Sequence, residues 1–208
     1  MAVTETHEKS DPRIEGLAFI GGMVVLMWVV QLVNAIDDYK LDPKFGLLPR
    51  HVSGLDGVVF SPFLHASWGH LIGNTVPFAV LGGIVALSGL TRLLYVTVIV
   101  AVVGGLGTWL VAPAVTTVGA SGVVFGFAGY LVARGVFTRN LLHLAGGVAV
   151  AAVFGTALLS GLLPNNHGIS WQGHLFGGIG GVVAARLLTP TAEEKKPAAS
   201  NDPLAGLT

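Results

Sequence analysis

Cysteine is absent from this 208-residue chain. Its absence removes disulfides, thiolate metal ligands, iron–sulfur clusters and a cysteine nucleophile from consideration. Charge is scarce as well. Asp, Glu, Lys and Arg make up 11% of the residues, against about a quarter in an average soluble domain. So little charge cannot cover a water-facing surface, and a disordered chain needs more charge and less hydrophobicity than this. The 11 basic and 11 acidic residues cancel, which argues against a nucleic-acid partner.

The scarcity is sharpest in the middle. Residues 57–192 contain no Asp or Glu, and their only formal charges are Arg92, Arg134, Arg139 and Arg186. A charge at the centre of a bilayer costs about 2.5–3.5 kcal/mol on insertion scales, so a long stretch bare of charge is what membrane spans require.

What fills the stretch is apolar and glycine-rich. Hydrophobic residues make up 52% of the chain and 30 residues are Gly; the mean hydropathy is +0.75. Six segments approach the roughly 20 apolar residues that a spanning helix needs: 16–36, 68–89, 93–113, 120–133, 141–163 and 171–188. The fourth is short, as if it began below the membrane surface. Strands of a membrane barrel would alternate polar and apolar residues, and these segments do not. The expected fold is an all-α integral membrane bundle of six helices.

Lys and Arg set the orientation. A cytoplasmic N-terminus puts eight of them inside (Lys9, Arg13, Arg92, Arg134, Arg139, Arg186, Lys195, Lys196) and three outside (Lys40, Lys44, Arg50). Both termini are therefore expected inside. Residues 1–15 form a cytoplasmic segment without the basic n-region of a cleaved signal. Residues 37–67 form an outer loop long enough to have structure of its own. Residues 189–208, rich in Pro, Ala and charge, are expected to be a disordered cytoplasmic tail.

Polar residues inside spans are functional candidates, each weighed against a structural role. Ser121 lies in Gly119-Ala120-Ser121-Gly122, where small-residue packing through Gly122, Gly126 and Gly129 is the simpler account. His70 and Asn74 stand four apart, on one helix face, and could be an interhelical hydrogen-bonding pair. His65 precedes them in the loop. His174 shares its face with Gly177, Gly178 and Gly181, so that face can approach a neighbour closely. Spans two, four and six run in the same direction, which puts His70, Asn74, Ser121 and His174 at one depth below the outer surface. His143 falls at the inner side and is expected to be structural or interfacial.

A Ser beside a His is a minimal activated nucleophile, and acyl transfer needs donors where the oxyanion develops. Ser121 opens a helix, so its backbone N–H is among the unpaired first-turn donors; Asn74 and His70 offer side-chain donors. With no acid in the spans, a dyad is supported rather than a triad, unless Asp56 folds inward. Aspartyl and zinc intramembrane proteases are excluded for want of Asp or Glu. Three His could bind a metal, but that would leave Ser121 idle, so no metal is expected.

These residues together resemble the rhomboid family of intramembrane serine proteases: His65-x4-His70-x3-Asn74 at the second span, Gly119-Ala-Ser121-Gly122 at the fourth and His174-x2-Gly177-x3-Gly181 at the sixth. The resemblance covers about residues 16–188. It implies Ser121 as nucleophile, His174 as general base, and His70, Asn74 and the Ser121 N–H as oxyanion donors. It gives His65 a stabilising role in the outer loop, requires no cofactor, and implies single-span membrane proteins as substrates, cut near the outer end of the span. The fifth span and residues 164–170 resemble the family's mobile access region. The expected location is a bacterial plasma membrane, with the site on the extracytoplasmic side. Two positions depart from the common pattern. Phe125 stands where many members have Tyr, and Asp56-Gly57 where many have Trp-Arg. A catalytically silent member that binds client helices is the main alternative, and a small transporter or channel the next.

Overall fold

The computed structural model describes residues 10–164 and 168–189. Most of the expected N-terminal segment and of the expected disordered tail therefore lies outside the described residues. The elements are α1 (Pro12–Ile36), α2 (Leu41–Phe45), α3 (Gly57–Phe60), α4 (Trp68–Ala86), α5 (Leu90–Val111), α6 (Ser121–Thr138), α7 (Leu141–Gly161) and α8 (Trp171–Leu187). Short 3-10 turns at Val52–Gly54 and Ser61–Phe63 complete them. Among the described residues the only β pairing is one antiparallel bridge, Leu47 with Thr117.

Five helices, α1 and α4 to α7, are long and apolar enough to cross a membrane. With 17 residues, α8 is about 26 Å long at 1.5 Å per residue, a little less than the roughly 30 Å hydrocarbon core. The exterior is built for lipid. Large apolar side chains such as Val25, Val29, Ile72, Val76, Val98, Leu110 and Val153 are exposed along the helices, far more than a soluble monomer shows to water. The chain is an integral membrane protein.

Side-chain caps start most of the long helices. Asp11 Oδ1 accepts from the Arg13 N–H at 2.8 Å, Ser67 Oγ from His70 at 3.1 Å, Asn140 Oδ1 from Leu142 at 2.9 Å and Ser170 Oγ from Gly173 at 3.2 Å. The first helix begins at Pro12, earlier than residue 16, because Asp11 caps it and proline suits the first position, where no N–H is required. The fourth apolar segment is corrected too. It runs to Thr138 rather than 133 and has spanning length. Arg134 does not end it, because its guanidinium finds a polar partner, Nη1 donating to Ser88 Oγ in the turn between α4 and α5 at 2.6 Å.

The central helix is α6, packed by α4, α5, α7 and α8, while α1 lies outside against α4 and α5. Missing side chains make the tightest seam. A Cβ on Gly177 would collide with the Gly122 carbonyl, and one on Gly181 with that of Gly126. Across α5 and α8, a Cβ on Gly104 would stand 3.2 Å from the Gly177 Cα. Backbones this close gain dispersion contacts and fix the relative height of the helices.

The outer loop is folded rather than loose. Asn34 at the end of α1 donates from Nδ2 to Asp42 at 2.8 Å and accepts from the Leu41 N–H at 3.1 Å. Trp109 Nε1 donates to the His51 carbonyl at 2.9 Å, and the Arg50 N–H to the Trp109 carbonyl at 3.0 Å. These bonds pin the loop onto the ends of α1 and α5.

Candidate functional site

Ser121 is the first residue of α6. Ala120, before it, has no side chain to cap the helix, unlike the residues before α1, α4, α7 and α8. The Ser121 N–H is therefore left among the unpaired donors at the positive end of the helix dipole. Gly119 turns the chain into this position with φ +118°, a value that side-chain-bearing residues rarely adopt. Its N–H donates to the Ser61 carbonyl at 2.9 Å, so the outer loop sets the height of the turn.

The close seam brings His174 of α8 against this end of α6. Ser121 Oγ lies 2.8 Å from His174 Nε2, and His174 Nδ1 lies 2.8 Å from the Gly161 carbonyl oxygen at the end of α7. A carbonyl can only accept, so Nδ1 carries the proton and donates to it. Nε2 then presents its lone pair to the serine hydroxyl, which donates. An imidazole so fixed can take up a hydroxyl proton. The Phe125 ring stacks on the His174 ring, with centroids 4.0 Å apart and planes within 9°, and holds it from the other side.

His70 and Asn74 reach the same place from α4. A Cβ on Gly119 would stand 2.7 Å from His70 Nε2 and 3.5 Å from Asn74 Nδ2. Asn74 Nδ2 is buried and has no hydrogen-bond partner. His65 is fully buried and meets the His70 ring edge to face, with centroids 5.1 Å apart. Burial, reinforced by the neighbouring His70, pushes the His65 imidazole down to about 4; a weak contact with the Phe63 backbone acts in the opposite direction. Asp42 in α2 has its carboxyl pushed up by burial, partly offset by the bond from Asn34.

His70, Asn74, Ser121 and His174 line one cavity of about 870 Å³. Gly119 and Gly122 line it too, whereas Phe125, Gly177 and Gly181 support it from behind. Asp56, just before α3, is exposed, and the Gly161 carbonyl already occupies His174 Nδ1, so among the described residues no carboxylate joins the histidine. His143 lies at the other end of α6, where its Nδ1 is 3.1 Å from Thr138 Oγ1. No cluster of His, Asp and Glu suited to a metal occurs among the described residues.

Sequence reasoning missed the Gly161 carbonyl, because a backbone acceptor has no residue-type signature. It also missed Gln172, a buried amide that lines the cavity. Its spacing two residues before His174 points it off the histidine's face, and no pattern drew attention to it.

The Rhomboid domain model matches residues 53–191. An uncharacterized protein of Mycobacterium tuberculosis is 41% identical over 200 residues, 92% of this chain and 82% of its own. An uncharacterized protein of Mycobacterium leprae is 37% identical over 202 residues, covering 93% and 78% of the two chains. A Bacillus subtilis protein named "Putative rhomboid protease YdcA" is 28% identical over 134 residues, 64% of this chain and 66% of its own. The matched stretch starts in the outer loop and takes in α4 through α8, the helices that carry His70, Asn74, Ser121 and His174: the chain belongs to the rhomboid family.

Proposed function

We propose that this protein is an intramembrane serine endopeptidase that uses a Ser121–His174 dyad to cut membrane-protein substrates in or near a transmembrane segment. The observation that carries this is the 2.8 Å contact between Ser121 Oγ and His174 Nε2, with the imidazole held by the Gly161 carbonyl at 2.8 Å. Hydroxyl, base and orienting acceptor are in line without any acid.

The Ser121 hydroxyl loses its proton to His174 Nε2 as Oγ bonds to the scissile carbonyl carbon. The carbonyl oxygen becomes an oxyanion, received by the Ser121 N–H, Asn74 Nδ2 and His70. Asn74 supplies a buried donor with no other partner, so the developing charge satisfies it. One such donor contributes roughly 2.7–4 kcal/mol to the barrier reduction. The intermediate collapses, the imidazolium gives its proton to the leaving amine, and an acyl ester forms on Ser121. Water, deprotonated by His174, then releases the new carboxyl end and restores the hydroxyl.

Six helices span the membrane in this account, with α8 as the short sixth and both termini in the cytoplasm. The cavity then lies toward the extracytoplasmic side of a bacterial plasma membrane. Substrates are single-span proteins. They approach beside α7, which packs extensively only on α6. The test is cleavage of a tagged single-span protein in proteoliposomes. Wild type should cut it, and Ser121→Ala and His174→Ala should each reduce cleavage to background while keeping the wild-type melting profile. Undiminished cleavage by either variant refutes the dyad.

A further inference from the structure

The other end of α6 poses a separate problem. Arg134 lies 13 residues after Ser121, about 20 Å along the helix, so it sits at the opposite membrane face. Its Nη1 donates to Ser88 Oγ at 2.6 Å. Its Nε is buried with no partner, and the Tyr130 ring lies 5.9 Å from the guanidinium carbon. Nη2 is neither bonded nor buried, which leaves one fork of the guanidinium open. Among the described residues no carboxylate pairs with this charge. The only ion pair among the described residues, Lys40 with Asp37, stands in the outer loop. Pro12 packs beside Gly89, so the first turn of α1 is at the Arg134 end, but its acids are engaged locally. Asp11 accepts from the Arg13 N–H, and Glu15 accepts from the Ser10 hydroxyl.

More positive charge gathers at the same place. Arg92, at the start of α5, comes four residues after Ser88, the residue that Arg134 bonds, and the polar His143 stands at the start of α7, its Nδ1 3.1 Å from Thr138 Oγ1. Two arginines from two helices thus gather with no carboxylate paired to them among the described residues, an arrangement that is costly at a membrane boundary unless an anion joins it. Beside them the surface turns strongly apolar. Toward the bilayer centre, Val132 on α6 and Leu144 and Val148 on α7 are all exposed. A soluble anion has no use for those side chains; an acyl chain does.

We propose that Arg92 and Arg134, flanked by Ser88 and His143, bind the phosphate headgroup of an anionic phospholipid whose acyl chains lie along α6 and α7 at Val132, Leu144 and Val148. Arg134 gives its open N–H groups to the phosphate oxygens in the charge-assisted geometry that guanidinium favours. Basic pockets between membrane helices are suited to this class of ligand. The site is independent of any reaction at Ser121.

Native mass spectrometry of the detergent-purified full chain tests it, with phosphatidylglycerol, phosphatidylcholine and inorganic phosphate as probes. Wild type should hold phosphatidylglycerol roughly tenfold or more tighter than phosphatidylcholine. Arg92→Gln/Arg134→Gln should lose that preference, while Arg186→Gln, on the exposed end of α8, should keep it. If the double variant does not fold, Arg92→Gln alone should weaken phosphatidylglycerol several-fold and leave phosphatidylcholine unchanged. Equal binding of the two lipids by wild type, or wild-type preference in the arginine variants, overturns the proposal. So does a thermal shift from inorganic phosphate equal to that from phosphatidylglycerol, which would make the ligand a soluble anion.

Discussion

Gly161 gives His174 what a carboxylate gives the histidine of a Ser-His-Asp triad: a fixed acceptor that selects one tautomer and one ring position. A neutral carbonyl does this without bringing a charge into a low-dielectric bundle. It stabilises an imidazolium less than a carboxylate does, so the Phe125 ring matters more as a wall. Phe125→Ala should lower turnover roughly tenfold with KM nearly unchanged, and Phe125→Tyr should retain most activity; steady-state cleavage rates in proteoliposomes decide it. Gly119→Ala places a methyl against His70 at a backbone angle that only glycine adopts freely. Turnover should fall on the order of a hundredfold, the loss of one oxyanion donor. His65 adds a pH effect. Its folded imidazole is pushed down to about 4, below the usual 6.5. Between those values the unfolded chain takes up a proton that the folded one refuses, so stability falls as pH drops through 6.5 and levels off near 4. The loss is on the order of 3 kcal/mol. Melting curves from pH 8 to pH 4 should show a steeper fall for wild type than for His65→Gln.

At the scale of elements, the uncapped start of α6 and its seam with α8 determine the site together. The chain caps α1, α4, α7 and α8 with Asp, Ser, Asn and Ser, and leaves α5 and α6 without a side-chain cap, α6 at Ala120. Free donors at the start of α6 are a cost to the helix and would be a resource for an anionic group in the cavity. The seam fixes Ser121 against His174 to within a hydrogen bond. Gly177→Ala drives a methyl into the Gly122 carbonyl, and overpacking of this kind costs about 1–3 kcal/mol. It should lower the melting temperature and remove activity together. Gly146→Ala on α7 meets nothing within 4 Å and should leave both unchanged or slightly raise stability. Much of this seam was legible in the sequence. Gly122 and Gly126 recur at helical spacing, as do Gly177 and Gly181 behind His174, and the stretch without acids outlined the apolar helices. The end of α6 was not legible: Arg134 reads as a boundary until the structure shows its guanidinium turned to Ser88. The pairing of Leu47 with Thr117 and the bond from Gly119 to the Ser61 carbonyl escaped as well, because main-chain contacts between distant loops leave no side-chain pattern.

At the scale of the whole molecule, the exposed apolar exterior and the cavity that holds the polar residues divide the work. Lipid suits the former, and the latter gathers His70, Asn74, Ser121 and His174 within an otherwise apolar bundle. The chain has no native cysteine, so single cysteines report topology cleanly. In intact cells an impermeant maleimide should label Ser53→Cys in the outer loop and spare Arg139→Cys between α6 and α7; labelling of Arg139→Cys instead would reverse the proposed orientation. The central claim is that this membrane fold holds an activated serine. The most direct measurement is reaction of the detergent-purified protein with a fluorophosphonate probe, with the adduct mapped by mass spectrometry. The account predicts one adduct, on Ser121, absent in Ser121→Ala and strongly reduced in His174→Ala. A folded wild-type protein that takes up no probe, or carries it on another residue, would contradict it.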